Sequence, residues 1–140
     1  MNHDHYSDDY LRGIFAAVKT IALVGASPRP DRASNRVMSF LQRKGFRVIP
    51  VNPQIAGTTL NGETVYAALA DIPEAIDMVD VFRRSDQVAP VVDEAIAKGA
   101  KIVWTQLDIR DDVAAAKAEA AGLNVVMNRC PAIEMPRLGL

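Results

Sequence analysis

A chain of 140 residues that is 49% apolar has the size of one domain and can bury a core without disulfide or metal staples. Its 16 basic and 17 acidic residues leave a formal charge of -1, which excludes binding to nucleic acid or an anionic membrane through an overall positive field, so any anion site must be local. The single cysteine, Cys130, excludes an internal disulfide framework and fits a reducing cytoplasm; no apolar run approaches the roughly 20 residues of a membrane span, and no leader pattern opens the chain, so a soluble cytoplasmic protein is expected.

The first residues carry His3, Asp4 and His5, which read as a mobile tail and not as a metal site. Ser7 then stands as N-cap to an amphipathic helix over residues 8–18, with Asp8 and Asp9 in the favourable first turn and Leu11, Ile14, Phe15 and Val18 on one face. An apolar strand over 20–25 empties into Gly25-Ala26-Ser27, followed by Pro28, Arg29, Pro30, Asp31 and Arg32. Small residues there let backbone N–H groups come close to a ligand, and the next helix aims its positive end at the same place, so a phosphate is the expected guest. Beyond it the pattern gives a helix over 35–44, a strand over 47–51, a short helix near 65–70, a strand over 77–82, a helix over 85–98, a strand over 101–105, a helix over 111–121 and a strand over 123–127. The strands are continuous apolar runs, as strands covered on both faces should be.

Gly45, Gly99 and Gly122 each stop a helix shortly before a strand begins, and Lys44 and Lys98 precede two of them at the negative helix end. This punctuation predicts one α/β domain over 1–140: a Rossmann-like, doubly wound parallel sheet of five strands in the order 3-2-1-4-5, helices on both faces, with residues 1–18 as a tail and helix packed on it. Ligands of such sheets bind beyond the carboxyl ends of the strands, where the order reverses. The residues expected there are Gly25, Ala26 and Ser27, then Asn52 and Pro53, then Phe82, Arg83 and Arg84, then Trp104, Thr105 and Gln106, and finally Asn128, Arg129 and Cys130.

A dinucleotide fingerprint would read G-x-G-x-x-G with an acidic residue closing the second strand. Its places are held by Gly25, Ser27 and Pro30, and the second strand ends at Asn52, so no carboxylate waits for a ribose diol. Arg29, Arg32 and Arg36 follow the turn, with Arg83 and Arg84 expected across the crevice, a set suited to a ligand with several phosphates. The alternative is an NAD(P)-binding Rossmann redox protein or sensor, with NADP the form that stays open because arginines can hold its 2′-phosphate.

From about residue 12 onward, Gly25-Ala26-Ser27, Val51-Asn52-Pro53, Asp80-Val81-Phe82-Arg83, Trp104-Thr105-Gln106 and Asn128-Arg129-Cys130-Pro131 with Glu134 and Arg137-Leu138 make the chain similar to the small stand-alone CoA-binding proteins of bacteria and archaea. The resemblance implies a domain related to the CoA-binding domain of the succinyl-CoA synthetase alpha subunit, without the second domain that carries the phosphohistidine in those ligases. It implies that coenzyme A or an acyl-CoA is the ligand, with Gly25, Ala26 and Ser27 on the pyrophosphate and Arg29 reaching a phosphate. Asn52 and Pro53 would lie on the adenosine, Phe82 and Arg83 in mid-groove, and Gln106, Arg129 and Cys130 at the far end. Arg32 is added from its place beside the turn. Two positions depart from the family pattern: Leu107-Asp108 replaces a small residue after the glutamine, and Asn128 replaces an aspartate.

Catalysis by Cys130 would need a base, and the only histidines are His3 and His5. The chain is therefore expected to bind without turnover, as a carrier, sensor or accessory subunit, with a second copy or an acyl-CoA enzyme as macromolecular partner. Cys130 reads either as a small buried hydrophobe or as a thiol that meets the ligand's thiol.

Overall fold

Side chains alternate across a strand, so a strand with no exposed side chain must be covered twice. In the computed structural model, which describes residues 1–140, this happens along a parallel sheet. Its strands are β1 (Thr20–Val24), β2 (Arg47–Val51), β5 (Met78–Val81), β6 (Ile102–Thr105) and β7 (Asn124–Val126), while β3 (Thr59–Leu60) and β4 (Glu63–Thr64) form a separate hairpin. The helices are α1 (Asp8–Ala17), α2 (Ala33–Arg43), α3 (Val88–Lys98), α4 (Asp112–Ala120) and α5 (Pro131–Arg137). Leu23, Met78, Ile102, Trp104 and Val126 face a layer built by α1, α2 and α5. Ala22, Val24, Val79, Val81, Val103 and Val125 face the layer of α3 and α4.

The sheet runs β2-β1-β5-β6-β7. A single parallel bridge joins Val51 to Tyr66 outside β2, with Asn52 N donating to Tyr66 O at 2.9 Å and Tyr66 N to Pro50 O at 3.1 Å. Counting Tyr66 in third place, the expected 3-2-1-4-5 progression is present and continues to β7 as a sixth member. One assignment within it changes. The strand at 77–82, expected outside the second strand, lies as β5 directly beside β1, pairing Leu23 with Asp80 and Val24 with Val81. The reason is burial: all four β5 residues are completely enclosed, which an edge strand cannot be, whereas the half-buried Tyr66 fits the edge. The order therefore reverses between β1 and β5.

Other boundaries differ locally. The helix expected at 65–70 is a strand bridge followed by a 3-10 turn, Leu69–Asp71, and the helix expected from 85 begins as a 3-10 turn, Ser85–Gln87, before α3. The β3–β4 hairpin, not expected, turns on Asn61 and Gly62, both with positive φ (49° and 80°), the geometry that Asn-Gly favours. The C-terminal helix α5 was also not expected. It opens with Pro131 at its first position, a favoured place, and tolerates Pro136 near its end while Met135 and Leu138 fill the core against α2.

Residues 1–7 are not a tail. Burial of His3 sets up a continuous hydrogen-bonded run: Nε2 meets Glu119 at 2.8 Å, Nδ1 meets the Tyr6 hydroxyl at 2.7 Å, and that hydroxyl accepts the Met127 N–H at 2.8 Å. Tyr10 Oη donates to Val125 O (2.9 Å) and accepts from Val125 N (3.1 Å). Two tyrosine hydroxyls thus occupy the unpaired backbone of β7, the exposed edge of the sheet, in the way a further strand would. Burial pushes the Tyr10 hydroxyl up to about 12, so it stays protonated and able to donate. Replacing Tyr10 with Phe is expected to lower unfolding free energy by about 1–2 kcal/mol in urea titration; an unchanged midpoint would show that water serves this edge equally well.

Candidate nucleotide site

The turn after β1 is shaped by one contact. Gly25 has φ +92°, and a Cβ placed on it would lie 2.4 Å from Phe82 O and 3.3 Å from Arg83 Cδ. Only glycine allows the ends of β1 and β5 to come this close. The turn is tied on its other side as well: the N–H groups of Gly25 and Ala26 both donate to Val51 O (3.0 and 3.3 Å), Asn52 Nδ2 donates to Ala26 O at 2.8 Å, and Asn35 Nδ2 donates to Ser27 O at 3.0 Å. Gly25 and Ala26 therefore shape the turn but have no amide to spare. The backbone donors left without a protein partner are those of Ser27, of Asp31, and of Ala33 and Ser34, the first residues of α2, whose N-cap Arg32 supplies no side-chain bond. Ser34 and Asn35 were missed in the sequence, where the helix was expected to begin two residues later; the cap-forming pair Ser34-Asn35 was the available signal.

Around this turn opens a cavity of about 370 Å³ lined by Gly25, Ala26, Ser27, Arg29, Arg32, Ala33, Ser34, Asn52 and Phe82, with two arginines and no carboxylate. Arg29 pairs with exposed Asp31 at 3.3 Å, while Arg32 has no carboxylate partner. Arg83 also has none; it stands between this turn and a smaller cavity of about 150 Å³ on the α3 side, shared with Pro53 and Gln87. A second cavity of about 370 Å³ lies between α2 and α5, lined by Gln106, Leu107, Cys130, Ala132 and Ile133 and by Arg36, Val37, Phe40 and Arg43 of α2. Ala33 belongs to the walls of both larger cavities. Seven of the expected site residues thus share the first cavity, Gln106 and Cys130 the second, and Pro53 and Arg83 the third.

Arg129 joins none of them. Its guanidinium lies 5.0 Å over the Tyr6 ring and donates to Asn128 O (2.8 Å) and Asp4 O (3.2 Å), so it clamps the N-terminal segment. The two departures from the family pattern meet each other. Asp108 and Asn128 both have positive φ (67° and 58°), and Asp108 N donates to Asn128 Oδ1 at 2.7 Å, joining the loops after β6 and β7.

Three buried polar atoms near the ends of β5 and β6 lack any partner: both Asp80 carboxyl oxygens and Gln106 Oε1. Asp80 lies on the same sheet face as its register partners Leu23 and Trp104, and burial pushes its carboxyl well above the usual carboxylate range. The folded protein therefore holds a proton there that the unfolded chain releases near pH 4. Its contribution to stability is full below that pH and is lost as pH rises towards the shifted value. Equilibrium unfolding measured from pH 4 to 8 is expected to show this decline, and Asp80→Asn to flatten it; an equal slope in the variant would show Asp80 ionised in the fold.

The largest cavity, about 620 Å³, is at the opposite end of the sheet, lined by Arg12, Phe15, Lys19, Lys44, Phe46 and Arg47 among others. Size does not make it the site: it lies away from the strand carboxyl ends and the switch point, where sheets of this type bind ligands. No helix is long and apolar enough to cross a membrane.

A parallel sheet with helices on both faces, a glycine turn at the switch point and unpaired N–H groups among the residues that line a cationic cavity define a Rossmann-like α/β domain. More narrowly, the chain belongs to the CoA binding domain family, whose model matches residues 19–136. It is 36% identical over 120 residues to the uncharacterized protein YneT of Bacillus subtilis, covering 86% of this chain and 87% of that protein. A hypothetical protein from Pyrococcus horikoshii superposes with a TM-score of 0.93 at 41% identity, over 100% of this chain and 97% of the other. The alpha subunit of ADP-forming acetate–CoA ligase I of Pyrococcus furiosus is 30% identical over 89 residues, which span 61% of this chain and 19% of that subunit.

Proposed function

We propose that the protein binds coenzyme A or an acyl-CoA at the switch point between β1 and β5 and carries out no turnover of its own, acting as a carrier, sensor or accessory subunit to an enzyme that uses acyl-CoA. The observation that carries this reading is the Gly25 turn. It holds free N–H groups of Ser27, Ala33 and Ser34 at a cavity with Arg29 and Arg32 in its wall and no carboxylate to repel phosphate. Membership of the CoA binding domain family and the local match to an acetate–CoA ligase subunit point the same way. Asn52, its side chain spent on Ala26 O and Gln54 N, offers no carboxylate for the ribose diol of NAD. Against turnover, no histidine lines the cavity that Cys130 shares, and His3 is engaged by Tyr6 and Glu119.

Thermal-shift titration separates the ligands, because one that binds only the folded state raises Tm by mass action. CoA or acetyl-CoA at a hundredfold excess over Kd is expected to raise Tm by about 5–10 °C, with NAD and NADP inert. Arg83→Ala should weaken CoA about ten- to hundredfold while leaving the unliganded Tm in place. A shift with NADP and none with CoA would overturn the reading.

A further inference from the structure

Resting on the CoA reading, we propose that the cleft between α2 and α5 is a thiol-capture site, in which Cys130 exchanges with a CoA disulfide and holds the ligand covalently as a mixed disulfide. Cys130 is the chain's only thiol, free, 6% exposed, and part of the cleft wall. An independent observation points to a ligand in the same place. Gln106, also 6% exposed, lines this cleft, and its Oε1 has no donor anywhere in the protein. A buried amide oxygen left unmet is unfavourable, and a ligand N–H would satisfy it. Between its phosphates and its thiol, CoA carries a chain with two amide N–H groups, which dinucleotides lack.

The two cavities are neighbours. Ala33, at the first turn of α2, lines both, so an arm leaving phosphates at the Gly25 turn has only the start of α2 to pass before it meets the apolar bed of Val37, Phe40 and Ala132. The charged groups lining the cleft are Arg36 and Arg43, both cationic, so no carboxylate opposes an anionic ligand. No imidazole or carboxylate stands there as a base for acyl transfer either, which leaves thiol–disulfide exchange as the chemistry open to this cysteine. In the step, Cys130 releases its proton to solvent and its thiolate attacks the CoA sulfur of a CoA disulfide. A bond forms between Cys130 Sγ and the CoA sulfur, the ligand's own S–S bond breaks, and the departing thiolate takes up a proton. The number of disulfides is unchanged, and a free thiol runs the step backwards.

The test exposes the full chain, without reductant, to equal concentrations of CoA disulfide and glutathione disulfide and follows intact mass. One CoA adduct is expected, confined to Cys130, absent in Cys130→Ser, removed by dithiothreitol, and formed at least about tenfold faster than the glutathione adduct because binding concentrates the reacting sulfur. Gln106→Leu should slow the CoA adduct several-fold and leave the glutathione rate alone. Calorimetry with reduced CoA and wild-type protein in a phosphine reductant reads the parent binding separately. If CoA binds there but no adduct forms, or both disulfides react equally fast, the capture site is overturned while CoA binding stands. If CoA does not bind, both fall.

Discussion

The approach of Gly25 to the carbonyl of Phe82, with no room for a Cβ between them, is the contact on which the architecture of the site depends. It follows from two placements. β5 lies beside β1 because its four side chains are wholly buried, and the reversal of strand order therefore falls between them. Once β1 ends in glycine, its turn can fold back over Val51 O and Phe82 O, and the chain leaves towards α2 with N–H groups that no protein acceptor meets. A side chain at position 25 would separate the two strand ends and displace the turn from the start of α2.

The structure distributes its polar groups unevenly, and the distribution is informative. At the β7 edge of the sheet the polar side chains are spent: Tyr6, Tyr10, His3, Glu119 and Arg129 are linked to one another or to backbone, closing β7 against further pairing. At the carboxyl ends of β1, β5 and β6 the reverse holds. Arg32 and Arg83 lack partners, Ser27, Ala33 and Ser34 keep free N–H groups, and Gln106 keeps a buried acceptor without a donor. Native proteins leave few such groups unmet, and their collection at one end is what the proposed ligand would satisfy.

Much of this was legible in the residues. Continuous apolar strands, glycine stops after helices and the Gly25-Ala26-Ser27 turn are local signals, and they placed the parallel sheet and its two helical layers. The neighbour of β1 was not legible, because right-handed crossovers allow the strand at 77–82 on either side of the first two. The N-terminal segment escaped for a similar reason: His3 reads as a tail until Glu119 stands opposite it, 116 residues away. Arg129, beside Cys130 in sequence, reads as an anion ligand until Tyr6 and Asp4 claim it. Helix α5 was hidden by Pro131 and Pro136, although the first sits where proline favours a helix start. Asn61-Gly62 was a plain hairpin signal left unused.

The proposed binding mode seats phosphate at the switch point and not in the larger cationic cavity at the other end of the sheet. Amide chemical-shift mapping of the isotopically labelled protein with CoA decides between them. For the switch-point mode, the largest perturbations are expected at the N–H groups of Ser27, Ala33 and Ser34, with smaller ones at Gly25 and Phe82. Perturbations clustered instead at Lys19, Lys44, Phe46 and Arg47, with the Gly25 turn unmoved, would contradict it.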